Sequence, residues 1–213
     1  MVEPQHYRKL FNQQLDEIDR RVVRLFGLVT EAVAGATVAL LTGDREAARA
    51  TSEQESVVDE LEHDLEQLAQ RELLRQSPVA RDMRYLLSVV RVVPELERSG
   101  DLADHIAQRA LGGLTPRLTP PVRGILEEMG AACVEMWHAA TDAWAERDAA
   151  AAERIDIRDD RIDSLHDELV RELGRGDLVL ADAMQVILLG RFYERLGDHS
   201  VHIAERIVYL AGT

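Results

Sequence analysis

The chain has 213 residues, 46% of them hydrophobic but only 4% aromatic, the balance of long packed helices rather than of a β-sandwich. Thirty-nine acidic residues against twenty-five basic ones give a net charge of −14, which repels phosphate backbones and anionic lipid and argues against direct nucleic-acid binding. The single cysteine, Cys133, excludes an intramolecular disulfide framework and a cysteine-rich zinc site, and a reducing cytoplasm fits that count.

The opening residues Met1 to His6 lack the basic-then-apolar pattern of a signal peptide, and no run approaches eighteen uninterrupted apolar residues, so direct membrane insertion is not expected. In the first helix, from about His6 to Leu41, Phe11, Leu15, Ile18, Val22, Leu25, Val29, Ala32, Ala36 and Ala39 recur at steps of four and three, the stripe of a helix in an antiparallel bundle. Thr42-Gly43-Asp44 stops it and caps the second helix, Arg45 to Arg75. Ser77 is read as the next cap, with Pro78 at the first position of a third helix reaching Leu111. Inside it Pro94 frees the carbonyl of Val90 and predicts a kink.

Residues 113–121, rich in glycine and proline together with Gly112, form the one clear linker, dividing the chain into repeats at 1–112 and 122–213. The second repeat holds helices from about Val122 to Arg147, Ala149 to Leu173 and Leu178 to Leu210, with a turn at Gly174-Arg175-Gly176. The expected fold is all-α, two tandem three-helix bundles made of six long antiparallel helices.

The halves are related by sequence. Glu97 to Arg109 and Glu194 to Arg206 agree at eight of thirteen positions. Upstream the offset is 104 rather than 97, aligning Val58-Asp59-Glu60-Leu61 with Ile162-Asp163-Ser164-Leu165. The difference is about two helical turns, so the fifth helix can be shorter than the second without rotating its buried face.

The duplicated segment carries its chemistry at four-residue spacing, one line of a helix face. Glu97, Asp101 and His105 fall on the third helix, and Glu194, Asp198 and His202 on the sixth; opposite them stand Glu55 and Asp59 on the second and Asp159 and Asp163 on the fifth. Two acidic pairs on adjacent antiparallel helices resemble the way carboxylate metal sites are assembled in bundles. Oxygen-rich ligation suits iron, manganese, magnesium or calcium better than structural zinc. Carboxylates four apart are also common on solvated helix faces. Gly100 and Gly197 inside the motif cost roughly 1 kcal/mol each relative to alanine, which close approach of a neighbouring helix would explain.

His105 and His202 are read as hydrogen-bonded between helices, His63 and His166 as exposed, Arg98 and Arg195 as partners of nearby carboxylates, and Cys133, aligned with Val29, as core. No Gly-x-Ser-x-Gly turn and no glycine-rich phosphate loop occurs, so no catalytic residue is assigned. A bare acidic cluster repels phosphate, and sensing an anion there requires a bridging cation.

Glu-Arg-x-Gly-Asp followed by Ile-Ala, occurring twice, together with the Ser77-Pro78-Val79-Ala80-Arg81-Asp82-Met83-Arg84 entry, resembles the PhoU family of phosphate-uptake regulators over essentially the whole chain. The resemblance implies a cytoplasmic, usually dimeric tandem helical repeat with multinuclear metal centres, commonly iron or zinc, on Glu55, Asp59, Glu97 and Asp101 and on Asp159, Asp163, Glu194 and Asp198. It also implies a negative regulator of the phosphate-starvation response that links a phosphate ABC transporter to a sensor histidine kinase. Two departures from the family pattern are Pro94, three residues before the first motif, and histidine at 105 and 202 where asparagine is expected. Competing readings are a carboxylate-bridged metal oxidoreductase on a helical bundle, against which the motifs offer mainly Glu-x-x-x-Asp pairs and one Asp-x-x-His at Asp163 and His166, and a metal-free structural bundle.

Overall fold

The apolar stripe of the first helix is buried along its length, Leu15 alone being half-buried. The structure, a computed structural model, describes residues 4–76 and 78–212. Among these, six helices carry the fold: α1 (Pro4–Thr42), α2 (Arg45–Gln76), α3 (Ala80–Leu111), α4 (Pro120–Glu146), α5 (Ala151–Leu173) and α6 (Leu180–Ala211), with a short 3-10 turn at Thr115–Arg117 and no strand. Helices α1, α2 and α3 pack on one another, as do α4, α5 and α6, and α1 against α4 and α3 against α6 join the two sets. A single apolar core, with Trp137, Trp144, Tyr193 and Phe26 among its largest buried side chains, runs through both halves. Helix α1 is the one described helix long and apolar enough to cross a membrane, and its apolar side is spent on this core.

Local chemistry explains most boundaries. Gly43 takes a left-handed φ of 76°, and Asp44 Oδ1 accepts the amides of Glu46 and Ala47 at 2.9 and 3.0 Å, the cap expected for α2. Helix α5 has 23 residues against 32 in α2, the shortening implied by the two offsets plus a later start. Between α3 and α4, Thr115 Oγ1 donates to Leu40 O at 2.7 Å and Arg123 Nη1 to Leu41 O at 2.9 Å, fastening the connection to the end of α1.

Five starts differ from the sequence reading by two residues: α1 and α4 begin earlier, at Pro4 and Pro120 rather than His6 and Val122, and α3, α5 and α6 begin later. Pro78 is not the first residue of α3, because Val79 is extended (φ −127°, ψ 156°) and Ala80 is left-handed at φ 49°; Ser77 lies outside the described residues. Helix α4 ends at Glu146 because Arg147 turns left-handed at φ 57°, and Asp148 Oδ1 then accepts the Ala150 amide at 2.9 Å, so α5 begins at Ala151. Arg147 is held there by donating from Nη2 to Asp19 Oδ1 at 2.6 Å and by lying over the rings of Tyr85 and Trp144 at 5.2 and 4.9 Å. Val179 is extended too, and α6 starts at Leu180. Helix α3 passes through Pro94 without interruption.

Candidate metal centre

Gly100 brings α2 and α3 close: a Cβ built on it would lie 3.1 Å from Val58 Cγ1. That approach sets the Glu55 and Asp59 face of α2 against the Glu97 and Asp101 face of α3. Glu55, Asp59 and Asp101 each bring one carboxylate oxygen within 4.8 Å of the other two. Glu97 stands beside them in the same field, its pKa pushed up to about 7 by burial first, then by Asp101, Asp59 and Glu62. Burial and then Asp59 raise Asp101 as well, and burial and then Asp59, Asp104 and Asp101 raise Glu55. The seam concentrates negative charge: Arg98 offsets it only in part at Glu97 and donates to Glu95 at 3.0 Å. An all-oxygen, hard donor set of this kind fits a cation such as magnesium, manganese or iron.

The second half is arranged differently. Asp159 lies over Gly197, where a Cβ would come 2.3 Å from Asp159 Oδ1, and that oxygen is buried with no hydrogen-bond partner. Burial, then Asp163 and Asp198, push Asp159 up to about 6. Glu194 is drawn off by an ion pair with Arg191. Among the described residues, only the first half brings three ligand atoms within 4.8 Å of one another. An orphaned buried oxygen facing two more carboxylates has the chemistry of a cation ligand, so the residues of both seams fit a metal, the first more completely.

The histidines divide. His105 is exposed and stacks on Phe192 of α6 with ring centroids 5.4 Å apart, and the Arg109 guanidinium lies over the same Phe192 ring at 5.0 Å. His202 and His63 are exposed, and His63 shares a 2.7 Å hydrogen bond with Gln67. His166, expected to be exposed, is half-buried, because α6 offers no side chain at Gly190 and the ring fills that space, 2.9 Å from where a Cβ would stand. Arg195 is exposed and makes no ion pair among the described residues. Cys133 is core, its thiol donating to Tyr193 O at 3.3 Å.

The residue that sequence reasoning missed is His199. It is buried between α3 and α6, with Nδ1 2.9 Å from Ser99 Oγ and Nε2 3.7 Å from Glu95. Burial, then the positive neighbours Arg195, His202 and Arg98, push it down to about 4, so it is neutral at ordinary pH and ties the two halves by hydrogen bonding. The one signal available was its place within a repeat whose aligned partner, Leu102, is apolar and buried.

The family model described as the PhoU domain matches residues 22–110 and 126–207. The phosphate-specific transport system accessory protein PhoU homolog 2 of Mycobacterium tuberculosis is 34% identical over 210 residues, 96% of this chain and 97% of that protein. The PhoU homolog of Pseudomonas aeruginosa bearing the same accessory-protein name is 30% identical over 209 residues, 96% of this chain and 86% of that one. The crystal structure of PhoU from Pseudomonas aeruginosa superposes with a TM-score of 0.88 at 29% identity, covering 94% of this chain and 98% of that chain. The phosphate transport system regulatory protein PhoU from Streptococcus pneumoniae superposes with a TM-score of 0.84 at 25% identity, covering 95% and 97%.

Proposed function

The chain belongs to the PhoU family, and on that premise we propose that it serves in the regulation of phosphate transport, as a negative regulator of phosphate uptake and of the phosphate-starvation response. It works as a cytoplasmic, non-enzymatic adaptor between the subunits of a phosphate ABC transporter and a sensor histidine kinase, and it assembles as a homodimer. The observation that carries this reading is the match over 96% of the chain to accessory proteins of phosphate transport. Leu180, Met184 and Leu188, exposed along one side of α6, are surface that an adaptor can press against other proteins.

Metal belongs to this reading. Glu55, Asp59, Glu97 and Asp101 would hold one centre, and Asp159, Asp163, Glu194 and Asp198 the other, where the Arg191 ion pair competes for Glu194. A bound cation supplies the positive charge that lets these carboxylates stay ionised side by side. The chain's own contribution is placement: Gly100 and Gly197 let paired helices close until their acidic faces meet, and partial burial with like charge holds the Glu97 and Asp159 carboxyls above their usual range.

Affinity capture of the chain from cells grown with and without phosphate tests the function. Recovery of phosphate-transporter subunits and a sensor kinase, changing with phosphate supply, is the expected result. Recovery of neither under either condition overturns the adaptor reading.

A further inference from the structure

At the end of the molecule where α3 begins and α6 ends, a cavity of about 980 Å³ opens between α1, α3, the end of α4 and the end of α6. Its wall is unusual for a chain of net charge −14, because Arg8, Arg81, Arg84 and Arg147 all line it. Two of them are already used: Arg8 pairs with Asp82 at 2.8 Å and Arg147 with Asp19 at 2.6 Å. Arg81 and Arg84 have no ion pair among the described residues, and the one remaining acid in the wall is Asp16. Arg84 reaches across to the end of α6, where its Nη1 lies 2.8 Å from the position a Cβ on Gly212 would take.

We propose that this cavity is a binding site for a phosphoryl group, held by the Arg81 and Arg84 guanidinium forks. The two residues are three apart on α3 and so share one face, and a planar fork matches the oxygens of a phosphate. A carboxylate offers two coplanar oxygens and one charge; a phosphoryl group offers three oxygens and nearly twice the charge, enough to engage both forks together. The start of α3, whose Val79 gives no side-chain cap, adds the positive end of the helix dipole to what the arginines supply. The volume exceeds what bare phosphate fills, so the group enters either as free orthophosphate or as part of an organic phosphate. Arg84 and Asp101 are seventeen residues apart on one helix, about 25 Å, so the cavity is separate from the acidic seam and needs no bridging cation. The inference stands whether or not the chain regulates transport.

Titration calorimetry of the whole, chelator-treated protein with inorganic phosphate and, separately, with adenosine monophosphate tests it, with sulfate as the competing anion. Saturable binding of one or both is expected; binding of phosphate alone assigns the free anion, and binding of adenosine monophosphate alone assigns the organic source. Affinity should fall at least tenfold in the Arg81→Gln/Arg84→Gln variant, rise severalfold in Asp16→Asn, and stay unchanged in Asp59→Asn/Asp101→Asn. Should the double variant fold poorly, Arg81→Glu, at an exposed position, gives the same loss. Absence of binding by both probes, retention in the arginine variants, or loss in the seam variant overturns the proposal.

Discussion

Asp101→Asn keeps the shape of the side chain while removing one charge from the first seam. Two like charges at the 4.8 Å limit seen among Glu55, Asp59 and Asp101 repel by about 1 kcal/mol in water and about 3.5 kcal/mol at an effective dielectric of 20. These groups are largely solvated, so the lower figure, about 1 kcal/mol, applies. Burial and Asp59 hold the Asp101 carboxyl above its unfolded value; the unfolded chain therefore releases this proton first, and stability falls as pH rises above about 4 and through the raised value. In chelator at pH 7.5, Asp101→Asn should be more stable than the parent by about 1 kcal/mol, a melting shift of roughly 2 to 4 °C for a chain of this size. The gap should close near pH 4. With manganese or iron added the order should invert, since the parent gains from binding and the variant loses a ligand. Thermal and urea denaturation followed by circular dichroism measures both. A variant less stable than the parent in chelator would refute the reasoning, because the carboxylate would then be making a structural bond rather than enduring repulsion.

His199→Gln should flatten acid sensitivity: a histidine held at about 4 against about 6.5 when unfolded loses stability as pH falls through that window, by up to about 3 kcal/mol, and the difference between parent and variant in urea melts at pH 7 and pH 4 reads it. Gly130→Ala should cost about 1 to 2 kcal/mol in denaturant titration, because its Cβ would stand 2.3 Å from Thr37 Cγ2 and Thr37 is fixed by bonds to Val33 O and Tyr193, outweighing the helix-propensity gain. Cys133 is fully buried with its pKa pushed up by burial, so a thiol reagent should label it only at the rate of global unfolding; prompt labelling of the native protein would contradict its place in the core.

The helices were legible because their causes are local. The α1 stripe, the Gly43-Asp44 stop and the paired shortening of α5 all follow from spacing and turn chemistry. The start of α3 was not, since the left-handed Ala80 has no signature in a residue type that seldom adopts that conformation. Of the site, the lines of carboxylates could be read from four-residue spacing and the glycines pointed correctly to helix contacts. The asymmetry of the seams could not, because Arg191 sits outside the compared segment and takes Glu194. His199 was hidden because its partners, Ser99 and Glu95, arrive from the other half. The arginine cavity was hidden because its walls come from four separate helices.

We propose that the duplicated acidic seams between paired helices hold cations. Native mass spectrometry of the purified chain, alongside elemental analysis, weighs that directly. Bound metal should be found, dropping out in Asp59→Asn/Asp101→Asn at the first seam and further in Asp159→Asn/Asp198→Asn at the second. A chain that purifies metal-free, takes up none of iron, manganese, zinc or magnesium on addition, and is indifferent to all four substitutions would contradict it.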